Sequence, residues 1–169
     1  MKAIVVVDKN WAIGKNGSLL IHLPGDLKHF KEKTQGKVIV MGRSTLESLP
    51  GGKPLPDRTN IVLSRNPNYK ADCTVCCSQD SLLRELEQYD TDDVYIIGGE
   101  QIYRCFLPYC DTVYITKIDT EFKADRFFEN LDKRDNWKLV NKGEPKYEQG
   151  VYYCFTEYKR IEQKGRQTV

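Results

Sequence analysis

Short runs rich in β-branched and aromatic residues recur along the chain, near 2–8, 37–41, 60–64, 73–77, 93–97 and 112–118, and again near 137–142 and 150–159. Runs of this length bounded by Gly, Pro, Asn and Ser read as strands. Between the early runs, apolar residues repeat at helical spacing instead, near 24–34, 43–49, 79–89 and 99–107. Strand and helix in alternation imply right-handed crossovers. They predict an α/β fold, a mostly parallel twisted central sheet of about eight strands with helices on both faces. The last two runs have no helix between them and are predicted to pair as an antiparallel hairpin at the C-terminal edge. The polar ending, 161–169, is expected to be a frayed tail beyond a single domain over 1–160.

Composition narrows the class. A chain of 169 residues is expected to be one domain, and folding at this size hides about two thirds of the surface, enough for a core without disulfide or metal staples. With 40% hydrophobic and 30% charged residues the chain is neither disordered nor of low complexity. No apolar run approaches the ~18 residues of a membrane span. A formal net charge of +2 gives no reason to expect nucleic acid. The start, Met1-Lys2-Ala3 running into Ile4-Val5-Val6-Val7, lacks the long apolar region and cleavage site of a secretory signal, which predicts a cytoplasmic protein. In that setting the cysteines at 73, 76, 77, 105, 110 and 154 are expected to be reduced thiols. Cys73-x-x-Cys76 and Cys105-x4-Cys110 lack knuckle glycines, so no metal is expected.

In open sheets of this kind, ligands bind beyond the carboxyl ends of the strands. The first strand runs into Asn10-Trp11-Ala12-Ile13-Gly14-Lys15-Asn16-Gly17-Ser18, and later ones end in Gly42-Arg43-Ser44-Thr45, Ser64-Arg65-Asn66-Pro67 and Gly98-Gly99-Glu100-Gln101. At Gly42-Arg43-Ser44-Thr45, free backbone N–H groups, two hydroxyls and a guanidinium suit a phosphate; a plain turn with Ser44 or Thr45 capping the helix explains the residues equally. Ser64-Arg65 repeats the theme, as a second phosphate contact or a solvated turn. Gly98-Gly99 allows a close backbone approach to a ligand, or a tight turn with none. The G-x-G-x-x-G fingerprint is absent.

Asp26 is the most informative single residue. The helix near 24–34 has an apolar stripe of Leu23, Leu27, Phe30 and Thr34, with Lys28, His29, Lys31, Glu32 and Lys33 mostly on the other face. Position 26 falls inside that stripe, where a carboxylate costs free energy unless something pairs with it. It is either an acid favoured by the helix dipole or the partner of a cationic, amidine-like ring. His29, on the polar face, and His22, in a loop, are poorly placed as bases, and Ser64 and the cysteines lack the partners of a nucleophile.

Taken together, the residues resemble dihydrofolate reductases of the bacterial chromosomal type, from Ile4 to about Lys159. The likeness rests on Gly14-Lys15-Asn16-Gly17, Leu23-Pro24-x-Asp26-Leu27-x-x-Phe30, Val40-Met41-Gly42-Arg43-x-Thr45-x-Glu47-Ser48, Pro54-Leu55-Pro56-x-Arg58-x-Asn60, Ile97-Gly98-Gly99-x-x-Ile102-Tyr103 and Thr116-x-Ile118. The resemblance implies hydride transfer from NADPH to 7,8-dihydrofolate, giving 5,6,7,8-tetrahydrofolate for one-carbon metabolism. It matches Asp26 to the acid that holds the pterin's ring nitrogen and 2-amino group and assists protonation at N5, and Thr116 to the hydroxyl supporting it. Leu27, Phe30, Leu49 and Leu55 match the walls around the substrate's rings, and Val5 and Ile97 match the carbonyls facing the pterin. Tyr103 matches a position near the nicotinamide, and Arg58 the partner of the glutamate tail's α-carboxylate. Val6, Ile13, Gly17, Ser18 and Leu19 correspond to the nicotinamide side and its mobile loop. Gly42, Arg43, Ser44, Thr45, Leu63, Ser64, Arg65, Gly98, Gly99, Gln101 and Ile102 correspond to the pyrophosphate and 2′-phosphate contacts, the two glycines being joined by a cis peptide. Antifolates are implied as further ligands, and a monomer as the working form.

The chain departs from the family pattern in four places. Leu20-Ile21 stands where Pro-Trp is usual, so the indole N–H that helps order a water near the pterin is missing. Leu46 replaces a common tryptophan, Gln101 an arginine aimed at the 2′-phosphate, and Arg126 the threonine after Asp125 at the mobile loop's latch. Two other readings remain at this level. A pyrimidine reductase of riboflavin synthesis would share the NADPH edge but gives no role to Asp26, Leu27, Phe30 and Arg58; a non-catalytic NADP- or folate-binding module would bind without turnover.

Overall fold

The computed structural model of the protein describes residues 1–161. The tail expected over 161–169 thus lies, Ile161 apart, outside the described residues. In chain order these form β1 (Lys2–Val7), β2 (Ala12–Gly14), α1 (Pro24–Thr34), β3 (Val38–Gly42), α2 (Arg43–Ser48), β4 (Thr59–Leu63) and β5 (Thr74–Cys76). They continue as α3 (Gln79–Leu86), β6 (Val94–Gly98), α4 (Glu100–Phe106), β7 (Thr112–Ile118), β8 (Arg126–Phe127), β9 (Trp137–Lys142), β10 (Lys146–Glu148) and β11 (Val151–Arg160). Every run expected as a strand or helix is one. Three short strands are additional: β2 and β8, which pair as a separate two-stranded sheet, and β10.

The main sheet runs β10-β11-β7-β1-β6-β3-β4-β5. From β7 to β5 all neighbours are parallel. β11 is antiparallel to β7 and, on its outer side, to β9 along 156–160 and to β10 along 151–153. The expected antiparallel edge is present, with β10 sharing it. Gln149 and Gly150, with φ of 51° and 79°, turn β10 into β11, and a two-residue hairpin loop of the primed type needs positive φ at both positions.

A parallel strand covered on both faces must be apolar on both, and its side chains alternate between them. Val38 and Val40 of β3 join Ala3, Val5 and Val7 of β1 in one layer, under Leu82 and Leu86 of α3 and Phe106 of α4. Ile39 and Met41 join Ile4 and Tyr95 in the other, under Leu46 of α2 and Phe30 of α1. Each aliphatic side chain fully buried there contributes about 1.5–3 kcal/mol. This layering also places the site. After β1 the chain crosses to the α1 layer, whereas after β6, the neighbour of β1, it crosses to the α4 layer. Connections that leave adjacent parallel strands towards opposite faces open a crevice at the strands' carboxyl ends.

Candidate active site

The crevice is a cleft of about 850 Å³. Along it lie Val6 from β1, Ile13 from β2, Gly17, Ser18 and Leu19 from the following loop, and Gly42, Arg43, Ser44 and Thr45 where β3 passes into α2. Leu63, Ser64 and Arg65 follow from the end of β4, and Gly98, Gly99, Gln101 and Ile102 from the junction of β6 with α4. The residues matched to the cofactor by resemblance are therefore brought to one place. Val5, Ile97 and Tyr103 of the substrate set line it too, as do Lys15, Asn66, Glu100, Cys105 and Arg126, which sequence reasoning did not assign as ligand contacts.

Two helices start at this cleft, each with glycine at its N-cap, Gly42 for α2 and Gly99 for α4, and no side chain caps either one. The reading in which Ser44 or Thr45 caps α2 is therefore not what the structure contains. By contrast α3, which does not line the cleft, carries a complete capping box between Ser78 and Ser81. The first N–H groups of α2 and α4 lack side-chain acceptors, a natural cradle for anionic oxygen. A Cβ on Gly42 would come within 3.0 Å of Ile102, so glycine there lets α4 begin beside α2. The Gly98–Gly99 peptide is cis. Of the nearby cations, Arg43 donates from Nε to Glu47 Oε1 at 2.8 Å and lies 5.1 Å from the Tyr69 ring centre. Arg65 and Lys15 form no ion pair among the described residues.

The loop after β1 is rooted by buried Asp8, an acid that sequence reasoning passed over. Its Oδ1 accepts the N–H of Asn10 at 2.8 Å and of Ala12 at 2.9 Å, and its Oδ2 that of Phe122 at 2.9 Å. Asn16 and Gly17, at φ 51° and 78°, form a tight turn across which Lys15 and Ser18 exchange backbone bonds of 3.0 Å. Asp125 Oδ2 accepts the Asn16 N–H at 3.0 Å, and β8 pairs with β2, so the loop is tied to the segment carrying Arg126.

Beside the β1 wall stands the acid. Leu23 at the N-cap of α1 and Thr34 at its end are buried and Phe30 is half-buried, but Leu27 is 38% exposed, contrary to the expected stripe. The covered edge of α1 follows Leu23, Asp26, Phe30 and Thr34, and position 27 lies off it. Thr116 of β7, paired in register with Val6, donates its hydroxyl to Asp26 Oδ1 at 2.6 Å. Burial pushes the Asp26 carboxyl above the ordinary carboxylate range, the Thr116 bond opposes that rise, and the Glu148 charge adds to it. His29 also departs from expectation. It stacks on Phe155 of β11, ring centres 4.0 Å apart, and burial lowers its pKa.

Around the acid's flank, Phe30, Leu49, Leu55 and Ile97 pack on one core layer. Arg58 is held by donating Nε to Thr34 Oγ1 at 2.9 Å and Nη1 to the Pro56 carbonyl at 2.7 Å. Buried Asn60 ties the same loop by accepting the Leu55 N–H at 3.0 Å and donating to the Leu55 carbonyl at 2.9 Å. Tyr103 is buried and donates its hydroxyl to the Ile4 carbonyl at 2.8 Å. A second cleft, about 650 Å³, borders α4, but its cations are already engaged: Arg160 with the Cys110 and Leu107 carbonyls, Arg134 with Glu129.

A sequence profile described as dihydrofolate reductase matches residues 1–160. The chain belongs to the dihydrofolate reductase family. It is 43% identical to the dihydrofolate reductase of Bacillus subtilis (strain 168) over 139 residues, 82% of this chain and 80% of that one. It is 38% identical to that of Staphylococcus haemolyticus over 161 residues, 94% of each. Among solved structures it is similar to dihydrofolate reductase from Enterococcus faecalis complexed with NADP(H) and RAB-propyl, at 37% identity and a TM-score of 0.85, covering 95% of this chain and 96% of that one. Within this dihydrofolate reductase fold, Ile21 packs with Leu23, Ile118, Val151 and Tyr153, so an apolar contact stands where the family's tryptophan is usual. Leu46, the other departure of that kind, is fully buried.

Proposed function

We propose that this protein is an NADPH-dependent dihydrofolate reductase of the cytoplasm, working as a monomer, with residues 1–160 as its single catalytic domain. The observation that carries this reading is the half-buried Asp26 carboxyl, held by Thr116 where that residue pairs with Val6 of the cleft, together with the uncapped helix starts of α2 and α4 along the same cleft. One end suits the amidine-like edge of a pterin and the other suits phosphates. The donors fit the cofactor: the N–H groups after Gly42 and Gly99 and the hydroxyls of Ser44, Thr45 and Ser64 would hold pyrophosphate, and Arg65 and Arg43 the 2′-phosphate. When bound, NADPH supplies the hydride. The protein's part is to place the rings and exclude water. Val6, Ile13 and the loop through Gly17, Ser18 and Leu19 would flank the nicotinamide, with Tyr103 nearby. Leu27, Phe30, Leu49 and Leu55 would wall the substrate, Val5 and Ile97 would present carbonyls to it, and Arg58 would take its α-carboxylate. Asp26 would hold the pterin's ring nitrogen and 2-amino group and support protonation at N5. Antifolates bearing the same edge are expected to compete there.

The test is loss of NADPH absorbance on adding dihydrofolate. Turnover supports the reading, whereas binding of both ligands without turnover leaves a binding module. Arg65→Ala is expected to raise KM for NADPH roughly 10- to 100-fold and leave that for NADH nearly unchanged, because a charge-assisted phosphate contact is worth roughly 1.5–3 kcal/mol. Equal effects on the two cofactors would remove Arg65 from the 2′-phosphate.

A further inference from the structure

The helix that carries the acid begins without a side-chain cap of its own. Leu23 stands at the N-cap of α1, where Ser, Thr, Asp or Asn would satisfy the first N–H groups. The missing acceptor comes from β10. Glu148 accepts the Gly25 N–H at 2.9 Å through Oε2 and at 3.3 Å through Oε1. Tyr153 of β11 donates its hydroxyl to Oε2 at 3.2 Å, so the carboxylate is held between the helix and its own hairpin. Gly25 makes this approach possible: a Cβ there would collide with the Tyr153 hydroxyl and come within 3.1 Å of Glu148 Oε2. An anion at a helix N-terminus is also favoured by the helix dipole.

The residue after Gly25 is Asp26. The groups that face its carboxyl are Thr116 from β7, Glu148 from β10, Tyr153 from β11 and Tyr103 from α4. No Lys, Arg or His pairs with it among the described residues. Of the four facing groups, only Glu148 is an acid.

We propose that Glu148 is a positioning residue for the acid, docking the first turn of α1 onto the C-terminal hairpin and holding a second negative charge beside Asp26. The proposal rests on the reading of Asp26 as the group that supports protonation of the pterin. Two neighbouring carboxylates resist being ionised together, so Glu148 helps Asp26 keep a proton to higher pH. Burial is the larger cause of that retention and Glu148 the smaller.

Two variants of the full-length protein separate charge from cap. Glu148→Gln keeps an oxygen for the Gly25 N–H and removes the charge; Glu148→Ala removes both. The measurements are the pH dependence of hydride transfer in single turnovers with NADPH and dihydrofolate, and the thermal midpoint. Glu148→Gln is expected to move the midpoint of the pH profile to lower pH while the thermal midpoint stays within about 1 °C. Glu148→Ala is expected to move the profile the same way and to lose about 2–4 °C, the size of a lost helix cap in a chain of this length. A Gln profile that superimposes on the native one, with thermal loss confined to Ala, would make Glu148 a cap only and overturn the proposal. Asp26→Asn, run alongside, distinguishes the two failures. If it keeps the native pH midpoint, the underlying reading of Asp26 is wrong; if it loses that midpoint while Glu148→Gln does not shift it, only the role of Glu148 falls.

Discussion

Asp26→Asn is expected to lose roughly 10²–10⁴-fold in hydride transfer at neutral pH, the usual range for a positioned acid or base. The amide has the volume of the carboxyl and can still accept the Thr116 hydroxyl, which lies 2.6 Å from Oδ1, so the loss reports charge and proton rather than packing. The native rate is expected to fall as the pH rises through the raised pKa of Asp26, because the protonated carboxyl disappears there. The Asn variant should instead recover rate only at low pH, where the substrate arrives already protonated. Stability falls with pH in the same direction. A carboxyl whose pKa is raised on folding stabilises the folded state only while it stays protonated. That contribution is lost as the pH climbs from the ordinary value of 3.8 through the raised one. At neutral pH Asp26→Asn should therefore be the more stable protein, by on the order of 1 kcal/mol. Stopped-flow hydride transfer and urea denaturation measure the two effects, and a variant within a few-fold of native rate would remove Asp26 from the proton's path.

The second large effect is expected at Gly98. Its φ of +120° lies where L side chains are strained, and a Cβ would meet the Tyr103 ring at 3.2 Å. Tyr103 cannot swing away cheaply, since its hydroxyl is bonded to the Ile4 carbonyl at 2.8 Å and its ring packs edge-on against Phe128, centres 5.0 Å apart. Strain and overpacking together put Gly98→Ala at about 3 kcal/mol destabilised, roughly 6–12 °C in thermal midpoint, with weaker NADPH binding as the cleft wall shifts. Gly36→Ala is the control: its φ is +74°, but nothing lies within 4 Å of the added Cβ, so it carries the backbone penalty alone. If the two variants lose the same stability, the contact with Tyr103 has no role.

How far the sequence foretold this molecule depended on the range of the forces involved. The parallel strands were legible because burial on both faces leaves uninterrupted runs such as Val38-Ile39-Val40-Met41. The cleft wall was legible because Gly, Arg and hydroxyl residues follow those runs directly. β8 has two residues and β10 reads Lys146-Tyr147-Glu148, too short and too polar to announce a strand. The turn after β2 did leave a signal, Asn16-Gly17, the strongest short hairpin cue there is. His29 was misplaced because helical periodicity assigns faces within a helix and is blind to Phe155, which arrives from the far end of the chain. Glu148 was invisible for the same reason. Nothing local to Lys146-Tyr147-Glu148 says that its last side chain meets Gly25.

The uneven capping of the helices also divides the protein by how cheaply each part opens. The first turn of α3 must break the reciprocal Ser78 and Ser81 bonds before its amides meet solvent, whereas α2 and α4 start from Gly42 and Gly99 with no such bonds to break. Local unfolding and amide exchange should therefore begin at the cleft and reach α3 later. An anion seated on those two helix starts would stand in for the missing caps, and its binding energy would become folding energy for the least protected part of the backbone.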